Sequence, residues 1–109
     1  MLSVTNSFRA LVPSWYRAPI LQRSVVRSAA NLTRYTVAEI TGADRSPPLC
    51  RVRWACMVAL RQRGLSLPQI GRQMGGRDHT TVMHGLARAA EIAPGDDAFA
   101  ALIDALVTV

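Results

Sequence analysis

Apolar positions along most of the chain recur at spacings of three and four residues, the period of a helix face. Leu21, Val25, Ala29 and Leu32 mark the first such face after Pro19, and Asn31 to Tyr35 interrupts it. Residues 36–41 (TVAEIT) predict a short second helix closed by Gly42, followed by a polar loop from Ala43 to Ser46. Ser46-Pro47 predicts the next start, a hydroxyl cap followed by proline in the first turn. That helix should run to about Arg63 and stop at Gly64, with Leu49, Val52, Cys56, Ala59 and Leu60 turned inward. Ser66-Leu67-Pro68-Gln69 reads as a capping box. The short helix it opens ends after Met74 at Gly75-Gly76, which can turn sharply with positive φ. Asp78 predicts the cap of a helix over 79–92, its negative charge suited to a helix N-terminus. Pro94-Gly95 ends that helix. Asp96 and Asp97 start a last one, over about 96–108, with Phe99, Leu102, Ile103 and Leu106 on one side. The expected fold is all-α: a small helical bundle with a helix-turn-helix at about 66–92.

Residues 1–17 break this order. Pro13 stands inside them and Pro19 just after, so they are expected to form an arm, flexible or docked through Phe8, Leu11, Val12, Trp15 and Tyr16. The domain proper is then 18–109. No run of 18 apolar residues and no basic region before a clean apolar stretch occurs, so neither a membrane span nor a signal peptide is expected.

Charge changes the picture. The 109 residues carry 13 basic side chains and 7 acidic ones, net +6, and every basic one is arginine. Without lysine, a P-loop and Schiff-base chemistry are excluded. The charge is also segregated. All the arginines lie in residues 1–90 against only Glu39, Asp44 and Asp78, whereas 91–109 hold Glu91, Asp96, Asp97 and Asp104 and no arginine. A basic body with an acidic end suits a polyanionic partner, most simply nucleic acid. An arginine-rich proteome would give the same composition.

The helix over 79–92 sharpens this. At about 100° per residue, Val82, Leu86, Ala89 and Ala93 share one face, and Thr80, Thr81, His84 and Arg88 share the opposite one. Short donors, acceptors and methyl groups near a helix N-terminus are what a major-groove reader needs, although a solvated face looks similar. Cys50 and Cys56, six apart, read as ordinary buried thiols of a reducing compartment. With His79 and His84 they do not share the spacing of a zinc site, so no metal and no cofactor is expected. No convergent nucleophile, base or carboxylate pair suggests an enzyme. Trp54 reads as a partly buried packing residue.

Residues 66–85, SLPQIGRQMGGRDHTTVMHG, closely resemble the signature of the C-terminal DNA-binding domain of the DnaA family, the bacterial chromosomal replication initiators; GGRDHTTV is its specific core. The resemblance extends back through Tyr35 to Ile40, Arg45-Ser46 and Arg51-Val52-Arg53, and covers about residues 18–109. It implies a Trp-repressor-like helical bundle that binds a short duplex element, the DnaA box. By the same resemblance Asp78, His79, Thr80 and Thr81 would face base edges in the major groove, with Arg77 beside them. Arg45 would enter the minor groove. Arg51, Arg53, Ser66 and Leu67 would meet phosphate. Three features depart from the family pattern: Ala43-Asp44 in the loop, Trp54 in place of the usual glutamine, and a turn before Ser66 one residue shorter.

These readings predict a stand-alone, sequence-specific double-stranded DNA-binding protein that recognises a DnaA-box-like element. It would regulate replication initiation or transcription by occupancy, as a cytoplasmic, nucleoid-associated monomer. The alternative is a protein-interaction module that binds the replication initiator or another replication factor. Asp44, the apolar arm and the acidic last helix motivate that alternative.

Overall fold

The computed structural model describes residues 24–109. The arm at 1–17 and the start of the first helix at Pro19 lie outside the described residues. Among the described residues the fold is all-helical. Helix α1 spans Val25–Leu32, α2 Val37–Ile40, α3 Pro47–Gln62, α4 Leu67–Gln73 and α5 His79–Ile92; a 3₁₀ turn, Ala93–Gly95, leads into α6, Asp97–Val107.

Local chemistry sets most of these boundaries. The Ser24 hydroxyl accepts from Arg27 N at 3.2 Å and opens α1. A full capping box holds the four residues of α2: Thr36 Oγ1 accepts from Glu39 N at 3.1 Å, and Glu39 Oε1 from Thr36 N at 2.9 Å. Ser66 and Gln69 make the expected second box at the start of α4. Such reciprocal bonds satisfy two of the orphan donors at a helix start. Asp78 and Asp96 cap α5 and α6 by accepting from Thr81 N at 2.8 Å and Phe99 N at 3.0 Å. Two expectations differ in detail. Ser46 precedes α3, but its hydroxyl makes no capping bond; its N–H is instead taken by Asp44 Oδ1 at 3.0 Å, and Pro47-Pro48 set the first turn. Gly42 follows α2 without a positive φ. What matters there is space, since a Cβ would stand 2.7 Å from the Ala38 carbonyl oxygen.

Helix α3 is the spine. Its buried residues Leu49, Val52, Ala55, Cys56, Met57, Ala59 and Leu60 run its whole length, and it packs most extensively on α5 and α6. Val25 and Ala29 of α1, Ile40 of α2, Ile70 and Met74 around α4, Val82 and Ala89 of α5, and Phe99 and Leu106 of α6 complete one continuous core. Each of the larger of these side chains contributes about 1.5–3 kcal/mol by leaving water.

Helices α4 and α5 meet at a sharp corner. Gly75 and Gly76 take φ of 86° and 82°, conformations that cost residues with a Cβ. Gly71 is as important. Gly76 N and Arg77 N both donate to its carbonyl at 2.9 Å, and a Cβ on Gly71 would lie 1.9 Å from the Arg77 carbonyl oxygen. The two helices can close to this distance only because that side chain is absent.

Candidate nucleic-acid interface

Helix α5 divides as its sequence predicts. Val82 and Ala89 are buried and Leu86 is half-buried, while His79, Thr80, Thr81, His84 and Arg88 are exposed. Asp78, also exposed, spends one carboxylate oxygen on the Thr81 N–H. That bond, with smaller help from the Thr81 hydroxyl, His79 and Thr80 N, holds its carboxyl below the usual aspartate range. The second oxygen leaves acceptor capacity for a partner. The exposed first turn of α5 thus offers one carboxylate, one imidazole and two threonine hydroxyls with their methyls.

Beside this turn runs the loop from Thr41 to Ser46. Two arginines reach it from different elements. Arg53, on α3, is only 4% exposed. Its Nε donates to Ile40 O at 2.7 Å, Nη2 to Glu39 O at 2.9 Å and Gly42 O at 3.0 Å, and Nη1 to Asp44 O. Arg77, in the corner before α5, donates from Nη2 to Gly42 O at 2.6 Å and from Nη1 to Thr41 O at 3.4 Å and to Met74 O. Burial, then the charges of Arg53 and Arg45, lower the pKa of Arg77, with Cys50 working the other way. Arg45 follows on the same loop, exposed, and its guanidinium donates no hydrogen bond among the described residues. A groove of about 630 Å³ separates loop from helix, with Arg45, Cys50, Trp54, Arg77, Thr81 and His84 on its walls.

The expected site residues therefore fall into three groups. Asp78, His79, Thr80, Thr81 and Arg45 are all exposed, and Thr81 and Arg45 meet at the groove. Arg53 and Arg77 form part of its wall, with their guanidinium groups turned to loop carbonyls. The Arg53 guanidinium, expected at phosphate, is enclosed by four carbonyls, and Arg77, expected beside the bases, is half-buried on the groove wall and bonded to three carbonyls. Arg51 is exposed but ion-paired with Asp96 at the start of α6. Ser66 is exposed in its capping box, and the half-buried Leu67 side chain packs against the core. Among the described residues no three His, Cys, Asp or Glu side chains converge on a metal site. Both cysteines are free thiols. Cys50 is half-buried, and burial pushes the Cys56 thiol up to about 12.

One contact escaped the sequence reading. Trp54 is half-buried against the core, as expected, but its ring also carries the Arg88 guanidinium at 5.6 Å from its centre. Arg88 is in turn held by Glu91 Oε1 at 2.6 Å. The ring reaches this place because Gly85 faces it: a Cβ there would lie 2.8 Å from Trp54 Cδ1 and 2.5 Å from Met57 Sδ. A glycine in mid-helix, costly by propensity, was the available signal of close approach.

Comparison with known proteins agrees with this geometry. The family model described as the bacterial dnaA protein helix-turn-helix matches residues 23–88. The chromosomal replication initiator protein DnaA of Picosynechococcus sp. is 33% identical over 92 residues, 84% of this chain and 20% of that protein. The DnaA proteins of Thermomicrobium roseum and Nitrosospira multiformis are 35% and 38% identical over 74% and 69% of this chain, and 18% and 16% of their own lengths. The chain thus spans about a fifth or less of these relatives. Among the described residues no helix is long and apolar enough to cross a membrane. With its corner, its capped second helix and its signature in register, the chain belongs to the bacterial DnaA helix-turn-helix family, a DNA-binding, non-catalytic domain.

Proposed function

We propose that this chain binds double-stranded DNA in a sequence-specific way at a DnaA-box-like element and regulates replication initiation or nearby transcription by occupancy. The observation that carries the reading is the shared groove. Thr81 of the exposed first turn of α5 and Arg45 both line it, and among the described residues the Arg45 guanidinium donates no hydrogen bond; the turn suits a major groove and the loop arginine an adjacent minor groove. In this reading Asp78 accepts from a cytosine amino group, His79, Thr80 and Thr81 meet base edges and thymine methyls, and Arg45 enters the minor groove. Arg51 and the Ser66–Leu67 backbone lie beside phosphates. The relatives' name, chromosomal replication initiator protein, supports the setting.

The test is equilibrium binding of the 109-residue chain to a labelled duplex carrying a DnaA box and to a scrambled duplex, across a salt series. Tighter binding to the box is expected at every salt concentration; equal binding throughout would overturn the proposal. Arg45→Ala should cost about 1–3 kcal/mol on the box duplex. Because Arg45 is exposed and donates no hydrogen bond among the described residues, thermal stability should not change.

A further inference from the structure

The loop that carries Arg45 has little of its own to hold it. Gly42 and Ala43 bring no anchoring side chain, Ala43 to Arg45 are exposed, and Asp44 spends its carboxylate locally on Ser46 N. What fixes the loop comes from outside. Arg53 and Arg77 together take the carbonyl oxygens of Glu39, Ile40, Thr41, Gly42 and Asp44, and both bond to that of Gly42. Arg53 stands on the α3 spine. Arg77 stands in the corner immediately before Asp78, and its third carbonyl, that of Met74, belongs to the corner itself. The shared Gly42 carbonyl is thus a joint between the spine, the corner and the loop, three residues ahead of Arg45.

From this arrangement we infer that Arg53 and Arg77 are positioning residues: they hold the loop in fixed register with α5, so that Arg45 and the first turn of α5 reach a duplex as one rigid unit. The inference rests on the reading under Proposed function and adds two residues that act through Arg45 instead of touching DNA. The physical gain is preorganisation. A loop that had to order itself on binding would lose roughly 5- to 30-fold in affinity for each residue fixed. The side chain must be arginine. A planar guanidinium offers five N–H donors in a rigid fork and here spans three or four carbonyls, whereas an ammonium keeps the charge without the fork.

Arg77→Lys tests this, with Arg45→Ala and the double variant, on two duplexes. One carries the DnaA box. In the other, 2,6-diaminopurine replaces adenine, which adds amino groups to the minor groove and leaves the major-groove pattern unchanged. Wild type should bind the unmodified box about tenfold more tightly than the modified one. Arg77→Lys should lose about tenfold on the unmodified box and no longer distinguish the two, with little change in melting temperature. The double variant should bind within about twofold of Arg45→Ala alone. Losses that multiply in the double variant, or a lysine variant that discriminates as well as wild type, would overturn the positioning role. A wild-type chain that prefers no duplex would overturn the functional reading and this one with it. Guanidinium NMR of the free wild-type protein needs no variant: Arg53 and Arg77 should show hindered rotation with separate Nη signals, and Arg45 averaged ones. Averaged signals from Arg77 would equally overturn the inference.

Discussion

Gly85→Ala sets two well-measured effects against each other. In a helix interior, alanine gains about 1 kcal/mol over glycine. Here the new methyl would stand 2.5 Å from Met57 Sδ and 2.8 Å from Trp54 Cδ1, where ordinary contact needs 3.4 Å or more. The methyl meets both at once: Met57 is 2% exposed, and the rigid Trp54 indole cannot bend to make way. Overpacking of this kind costs about 1–3 kcal/mol. The net expectation is a loss of about 1 kcal/mol, a fall of roughly 4–8 °C in melting temperature for a domain of this size. Trp54→Gln removes the ring and leaves a flexible chain. In that background only the flexible Met57 thioether must shift, and Gly85→Ala should become stabilising by up to about 1 kcal/mol. The two positions should therefore couple by about 1–2 kcal/mol in a double-mutant cycle, measured by urea unfolding followed by circular dichroism. Additivity within about 0.5 kcal/mol, or stabilisation by Gly85→Ala in the wild-type background, would refute the reasoning.

Three further outcomes follow from the same geometry. The Asp78 carboxyl is held below its usual range by capping bonds, so its stabilising contribution is present well above the unfolded aspartate pKa and drains away as pH falls through that value towards its lowered pKa. Asp78→Asn keeps a cap and should flatten that acid limb of a melting-temperature profile, whereas Asp78→Ala should lower stability at neutral pH as well. Asp96→Asn keeps the α6 cap but frees Arg51, and should tighten duplex binding at low salt and steepen the salt dependence by about one ion; an unchanged slope would mean that Arg51 meets no phosphate. Cys56, buried with its thiol pushed up to about 12, should resist iodoacetamide at pH 8 while half-buried Cys50 reacts. Mass spectrometry should then find one adduct on the native chain and two in denaturant.

The helices were legible because their signals are local. Ser66 and Gln69 sit three residues apart, as do Asp78 and Thr81, and such pairs meet whenever a helix begins between them. The outer face of α5 was legible for the same reason, since periodicity alone places Thr80, Thr81, His84 and Arg88. The arginines were not. A residue type announces a charge, but whether that charge faces solvent depends on partners far along the chain. Arg53 meets carbonyls 9 to 14 residues away, Arg77 meets Gly42 across 35, and Arg51 meets Asp96 across 45. Backbone carbonyls carry no identity in a sequence, so nothing marked Gly42 as the point where two guanidinium groups converge. Trp54 and Gly85 escaped as a pair for a related reason: each reads as ordinary packing until their elements are laid together.

The carbonyl partners of Arg53 and Arg77 have an electrostatic consequence. A guanidinium paired with a carboxylate becomes part of a neutral couple. One held by carbonyl dipoles is fixed in place and keeps its full charge. The loop therefore carries the positive potential of Arg45, Arg53 and Arg77 together, opposed locally by Asp44, although of the three guanidinium groups Arg45 alone is exposed and donates no hydrogen bond among the described residues. Burial first, and then the charges of Arg53 and Arg45, disfavour the charged form of Arg77. An approaching polyanion would relieve that repulsion before any contact is made. Long-range attraction and its sensitivity to salt should accordingly draw on charges that never enter the interface, and bound duplex should raise the melting temperature partly by quieting a repulsion within the free protein.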